Sequence, residues 1–362
     1  MENIIRKAFK EKINQLLPDL RYPLLITNFD GQNANYWMFT LQTDHVAPSF
    51  LLILPGGKIY AFVSPIETDL LSGLKNNIEI MTYPASSKLI PLIKKITRKY
   101  KYLSAEYSDN YNFDIIRYSW LKKLRKEFSL KPAQDVIFPL RKIKTPAEIG
   151  LIRKSVNETY EILKKVENKV RKNVTEIDIY NLIYFEARKK NAEVSFKPII
   201  ASGRRAVNPH PIRATDKRLK NGEFLIVDLG VSFYGYTSDI TRTFLVGDDI
   251  RGHKFYKVAK IMFNELESLD FSKISPYELA EGMRKISKKH KVDIYEKHAY
   301  GHGIGVAVHD IYPSLSLSKN VFSRHKFQDG TAFAFEPGFY TKKTGFRWEN
   351  DYFINNGKAV KF

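Results

Sequence analysis

Five side chains in the C-terminal part of this chain have the types and spacing needed to hold two divalent metal ions: Asp228, Asp239, His302, Glu336 and Glu349. Asp228 lies in EFLIVDL (223–229) and Asp239 in SDITRTFLV (238–246), two apolar runs read as strands joined through Phe233-Tyr234-Gly235. A turn centred near Phe233-Tyr234 sets Asp228 opposite Asp239. Directly opposed residues have Cβ atoms about 5 Å apart, so both carboxylates can reach ions about 3.5 to 4 Å apart. An Asp inside an apolar strand also needs a partner, because burying a lone charge is costly. A cation is such a partner.

The pattern repeats further on. TAFAFEPG ends a strand at Glu336, and FRWENDYFI starts another that carries Glu349; folding about Lys342-Lys343 puts the two glutamates face to face. Between the two hairpins lies His298-Ala299-Tyr300-Gly301-His302-Gly303-Ile304-Gly305, whose glycines allow close backbone approach and whose imidazoles can ligate or carry protons. His309-Asp310 follows. Earlier, in the turn-rich loop from Ala201 to Pro211, His210 is held between prolines, a fixed presentation suited to substrate contact. Taken singly, each of these residues reads as a strand-end carboxylate or an ordinary histidine. Taken together, two facing acidic pairs with an imidazole between them outline a metal cage.

The elements that must position these groups follow from hydrophobic pattern and capping. Residues 22–28, 50–54 and 59–63 are apolar β-rich runs, the last two separated by the hairpin signal Pro55-Gly56-Gly57, and helical patterns cover 89–100 and 114–128. This predicts a mixed α/β domain over residues 1–140 that carries no concentrated chemistry. Thr145-Pro146-Ala147-Glu148 supplies an N-cap, a proline at the first helical position and a Glu three residues after the cap. A long helix is expected there, burying Ile149, Ile152, Val156, Leu163 and Val166, at the start of a second domain over 141–362; Thr175 with Asp178 offers a further cap.

Composition bounds the chemistry. With 362 residues, 43% hydrophobic content and a mean hydropathy of −0.34, the chain is long enough for two domains and ordinary for a globular protein. The absence of cysteine excludes disulfides, thiolate metal sites and a cysteine nucleophile. Neither a membrane span nor a secretory apolar segment is present, so a cytoplasmic address is expected. The net charge of +20 comes from Lys and Arg spread along the whole chain, which reads as a solvated surface and disfavours nucleic acid as a partner.

In ASGRRAVNPH, VDLGVSFYGYTSDITRTF, HAYGHGIGVAVHD, FEPGFY and GFRWEND, the chain resembles the creatinase/aminopeptidase family, and within it the Xaa-Pro dipeptidases (prolidases) and Xaa-Pro aminopeptidases. The resemblance is strong from about residue 141. Before that only NYWMF, LLILPGG and Pro65-Ile66-Glu67 carry it. It implies an α/β (α+β) architecture: a C-terminal pita-bread domain with internal pseudo-symmetry and a smaller N-terminal creatinase-type α/β domain. It also implies that Asp228 chelates one ion, that His302 and Glu336 chelate the other, and that Asp239 and Glu349 bridge. Glu336 would accept the proton of the attacking water. His210, His298, His309 and Arg347 match residues that contact substrate or stabilise the intermediate, and Thr241 matches a supporting hydroxyl.

The implied cofactor is a pair of divalent ions (Mn, Co, Zn or Fe), with the carboxylate-rich donor set leaning toward Mn. The implied substrate is a small peptide with proline at its second position, and the implied assembly is a homodimer. Two departures concern specificity. Val308-His309-Asp310-Ile311-Tyr312-Pro313 has Asp where the family has Glu and one extra residue before the proline, and Ser314 stands where several prolidases carry a carboxylate-binding arginine. The family's RIED becomes Arg347-Trp348-Glu349-Asn350. Dipeptidase and aminopeptidase activities both remain open, and a non-catalytic pita-bread binding protein is disfavoured by the complete donor set.

Overall fold

A computed structural model describes residues 2–29, 33–41, 43, 47–83, 86–107, 116–211, 213–319 and 323–362. The chain divides into two compact units, Met1–Arg141 and Lys142–Phe362. None of the described helices is long and apolar enough to cross a membrane.

The first unit is built on a six-stranded mixed sheet whose strands run, in spatial order, Glu79–Thr82, Ile59–Val63, Ser49–Ile53, Leu24–Asn28, Tyr102–Ala105 and Ser129–Pro132. The expected hairpin closes with Ile53 opposite Ile59, and Gly57 adopts the left-handed backbone its turn requires (φ 81°). The helical pattern around 114–128 forms Tyr118–Glu127, and its first two residues lie outside the described residues. Trp120, Leu121 and Leu124 pack from this helix onto Phe50 and Leu52 of the sheet.

The second unit opens with helix α1 (Pro146–Lys169), begun by Thr145 and Glu148 in a reciprocal capping box with Pro146 in the first turn. Ile152, Val156, Leu163 and Val166 are buried as the spacing predicts. Ile149 is only half-buried, and Leu151 and Ile162 take its share of the core. Helix α2 (Glu176–Lys189) starts at the second capping box, Thr175 with Asp178. Strands β1 (Ile199–Ser202), β2 (Phe224–Leu229) and β3 (Ile240–Leu245) form an antiparallel sheet with β2 in the middle.

A second pair of helices, α3 (Lys254–Ser268) and α4 (Pro276–Lys289), precedes a second sheet. It contains β4 (Gly301–Gly303), β5 (Asp310–Ser314), β6 (Ala332–Phe335), β9 (Asn350–Asn355) and β10 (Lys358–Lys361), in the order β5-β4-β6-β9-β10; the short strands β7 (Gly338–Tyr340) and β8 (Gly345–Arg347) extend the hairpin between β6 and β9. The order helix pair, then acidic hairpin, thus occurs twice. Phe255, Met262, Met283, Phe333, Phe335 and Tyr352 share the core that fixes α3 and α4 on the second sheet.

Candidate metal centre

The first acidic hairpin differs in register from the sequence expectation. Its turn centres on Tyr234-Gly235, both left-handed (φ 54° and 83°), with Phe233 opposite Tyr236, one residue later than expected. Moving a turn by one residue moves the pairing by two, so Thr241, not Asp239, stands opposite Asp228. A shift of two preserves the face. Asp228 and Asp239 therefore become diagonal neighbours on the same side of the sheet. A tyrosine at positive φ is uncommon, which is why the residue types did not reveal this turn.

The second hairpin has the expected register. Phe335 faces Asn350 and Gly338 faces Arg347, so Glu336 and Glu349 fall opposite each other between these pairs. His302 comes from β4, which is flanked by β5 and β6. Its neighbours must be glycine: a Cβ on Gly301 would lie 2.0 Å from the Ala334 carbonyl oxygen, and one on Gly303 would lie 2.1 Å from that of Tyr312.

These elements bring the five side chains together. Ligand atoms of Asp228, Asp239 and Glu349 lie within 4.8 Å of one another, as do those of His302, Glu336 and Glu349, and a third triad joins Asp239, His302 and His309. His302 Nε2 stands 3.5 Å from Asp239 Oδ2 and 3.9 Å from Glu336 Oε1. Asp228 Oδ1 is buried and has no hydrogen-bond partner among the described residues. An unsatisfied carboxylate oxygen in a cluster of four acids is expensive without a cation, so this donor set fits a pair of divalent ions.

Around this cage the histidines form an outer layer. His298 Nδ1 is 3.7 Å from Glu336 Oε2, and its Nε2 meets the Tyr340 hydroxyl at 2.9 Å. His309 is exposed, with its ring centroid 4.1 Å from that of His302. His210, on its loop, is close enough that its charge would disfavour protonation of both His298 and His309. Arg347, 2% exposed, donates to Asp228 Oδ2, to the Thr241 hydroxyl (3.1 Å), to the Tyr340 hydroxyl (2.8 Å) and to the Pro209 carbonyl (3.2 Å). Four of its five N–H groups thus serve protein acceptors. The Thr241 hydroxyl in turn donates to Glu349 Oε2 at 2.6 Å.

Two participants escaped the sequence reading. Tyr340 ties Arg347 to His298. Asp351 is fully buried, and its Oδ2 accepts the Asp239 backbone N–H at 2.9 Å. Its position two residues after Glu349 in a strand, on the same face, was the available signal.

Burial, then repulsion from the neighbouring carboxylates, raises the carboxyls of Asp239 and Glu349, and burial pushes Glu336 up to about 8. Burial lowers His302 to about 3 and His298 to about 4, leaving both imidazoles neutral and His302 ready to ligate. Because Glu336 binds its proton more tightly in the folded chain than in the unfolded one, its contribution to stability is complete below about pH 4 and is lost as pH rises through about 8, and Asp239 and Glu349 act in the same direction. Above the range near pH 6.5 in which the lowered His302 and His298 work the other way, the metal-free protein should therefore melt at progressively lower temperature from about pH 7 to about pH 8.5, and Mn2+ should restore most at the upper end. Thermal melts in chelator and in Mn2+ check this, and parallel curves would contradict it.

The family model described as metallopeptidase family M24 matches residues 150–356. Among curated proteins, the chain is 29% identical over 265 residues to a putative Xaa-Pro aminopeptidase of Mycoplasma genitalium, covering 72% of this chain and 69% of the relative. It is also 29% identical over 235 residues to the Xaa-Pro dipeptidase of Pyrococcus horikoshii, covering 63% of this chain and 65% of the relative. These alignments thus span about two-thirds of each relative. Among solved structures, the prolidase from Pyrococcus horikoshii superposes with a TM-score of 0.81 at 25% identity, covering 97% of both chains.

Proposed function

The chain belongs to metallopeptidase family M24, and from that membership and its acidic centre we propose that it hydrolyses Xaa-Pro bonds in short peptides, as a dipeptidase of the prolidase type. The observation that carries the reading is the convergence of Asp228, Asp239, His302, Glu336 and Glu349 as overlapping triads that share Asp239, His302 and Glu349. In this reading Asp228 would hold one ion and His302 and Glu336 the other, with Asp239 and Glu349 serving both. Two such ions, with Mn favoured by the oxygen-rich donor set, would supply the Lewis acidity that activates water and polarises a peptide carbonyl.

The chain's own groups do the rest. Glu336, whose Oε2 lies 3.7 Å from Nδ1 of a neutral His298, would as the carboxylate take a proton from the attacking water and pass it to the departing amine. His210 and His309 are the imidazoles assigned to the peptide's carbonyl, and His298, whose ring nitrogens meet the Ala299 carbonyl and the Tyr340 hydroxyl, acts from beside Glu336. Arg347 keeps Asp228 in place through its guanidinium. A cytoplasmic homodimer completes the proposal, supported by the absence of cysteine from these 362 residues and by the resemblance.

A second reading, an aminopeptidase acting on longer peptides, is favoured by one observation. Ser314 on β5 stands directly opposite His302, so a serine lies beside the centre where several prolidases place an arginine for the substrate's free carboxylate. A panel of Xaa-Pro dipeptides and Xaa-Pro-Yaa peptides, assayed with Mn2+, Co2+ and Zn2+, separates the two. Cleavage after the first residue is expected with Mn2+. A chain that binds none of these metals and cleaves none of the peptides would sink the proposal.

A further inference from the structure

Glu349 is 1% exposed, and each of its polar groups meets the Thr241-Arg242 dipeptide. The Thr241 hydroxyl donates to its carboxylate at 2.6 Å, its N–H donates to the Thr241 carbonyl at 3.1 Å, and its own carbonyl accepts from Arg242 Nη1 at 2.6 Å. The same Nη1 also reaches the Thr241 carbonyl at 2.8 Å. Nη2 donates to Asn350 Oδ1 at 2.8 Å, and the guanidinium lies 4.5 Å from the centroid of the Trp348 ring. One side chain therefore grips three successive residues, Trp348, Glu349 and Asn350, centred on the residue that the proposed function assigns to both ions.

The grip is itself held in place. The Tyr160 hydroxyl, from α1, donates to the same Asn350 oxygen at 2.9 Å, and its ring lies 5.5 Å from the Arg242 guanidinium. Asn350 stands where the resembled family carries an acid, and as a neutral acceptor it binds Arg242 without adding another charge to a cluster already crowded with carboxylates.

We propose that Arg242 is a positioning residue for the metal centre: by holding the Glu349 carbonyl together with the side chains of Trp348 and Asn350 on either side, it orients the Glu349 carboxylate toward the two ions and so sets their affinity. The inference rests on the metal-centre reading above. A guanidinium suits the task because its planar fork serves several acceptors at once, which a lysine ammonium on a flexible stem does not. Residues that orient metal ligands typically govern affinity by about 10- to 100-fold.

Arg242 also borders a surface cavity of about 610 Å3 lined by Tyr160, Lys164 and Lys361. Water from this side can reach the carbonyls that its removal would expose, so truncation need not collapse the fold.

The test is calorimetric titration of the metal-free chain with Mn2+, alongside thermal melts in chelator. Arg242→Gln should weaken Mn2+ binding about 10- to 100-fold, and Arg242→Lys should fall between the two. Arg242→Gln binding Mn2+ as tightly as the unaltered chain, with only the metal-free melting temperature lowered, would reduce the residue to a structural role and overturn the inference. An unaltered chain that takes up no Mn2+ would overturn the metal centre and this inference with it, so the two failures are distinct. Should Arg242→Gln not fold, Asn350→Ala carries the same test: weaker Mn2+ binding supports the clamp, and unchanged binding overturns it.

Discussion

Replacing Asp239 by asparagine is expected to abolish peptidase activity while raising the melting temperature of the metal-free protein. The two effects have one cause. Asp239 is buried, and its carboxyl is raised by that burial and by the nearby charges of Glu349, Asp228, Asp351 and Glu336. In the metal-free chain it is a cost. Asparagine keeps the shape and removes the charge, so the metal-free fold should gain about 2 to 4 °C for each kcal/mol of relieved repulsion. With metal the sign reverses, because a neutral amide is a poor ligand for a group that must reach two cations. Loss of the paired ions should lower kcat/KM by roughly four orders of magnitude, about 5.5 kcal/mol of transition-state stabilisation. Activity within tenfold of the unaltered chain would refute the assignment, whatever the melting curve shows.

Arg347→Met should produce the largest loss of stability of any single change at the centre. The guanidinium is buried beside Asp228 and satisfies Thr241, Tyr340 and Pro209 at the same time. Removing one member of a buried charge pair costs about 3 to 5 kcal/mol, because the partner is left uncompensated. At about 2 to 4 °C per kcal/mol for a unit of this size, the melting temperature in chelator should fall by roughly 6 to 20 °C. Mn2+ should recover part of that fall, since an ion at the centre neutralises Asp228 from its other side. Equal losses with and without Mn2+ would show that Arg347 and the ions do not share Asp228. Arg347→Lys should restore some charge compensation and little of the four-way hydrogen bonding.

Much of the second unit was legible in the residues. Thr145 with Glu148 and Thr175 with Asp178 announced two helix starts, because a capping box is a local arrangement that needs no distant partner. The Glu336 and Glu349 pairing was also legible, since the hairpin that sets its register folds about the expected point at Lys342-Lys343. The Asp228 hairpin was misregistered by two residues, because its turn places Tyr234 at a positive φ that tyrosine seldom adopts. Ile149 is only half-buried because spacing along a helix defines a face, while the neighbouring packing decides how wide that face is.

What the sequence determined by itself was the chemistry: four acids and an imidazole in an order and spacing that resemble one metallopeptidase family. These are properties of residue type and of contacts close along the chain. What only the tertiary structure decided was how that chemistry is held. Arg242 reaches Glu349 across 107 residues and Arg347 reaches Asp228 across 119, while Asp351 accepts the N–H of Asp239 across 112. No local pattern encodes such pairings. They arise because strands from separate sheets bring their acidic residues together, and these buried charges find partners on segments far along the chain.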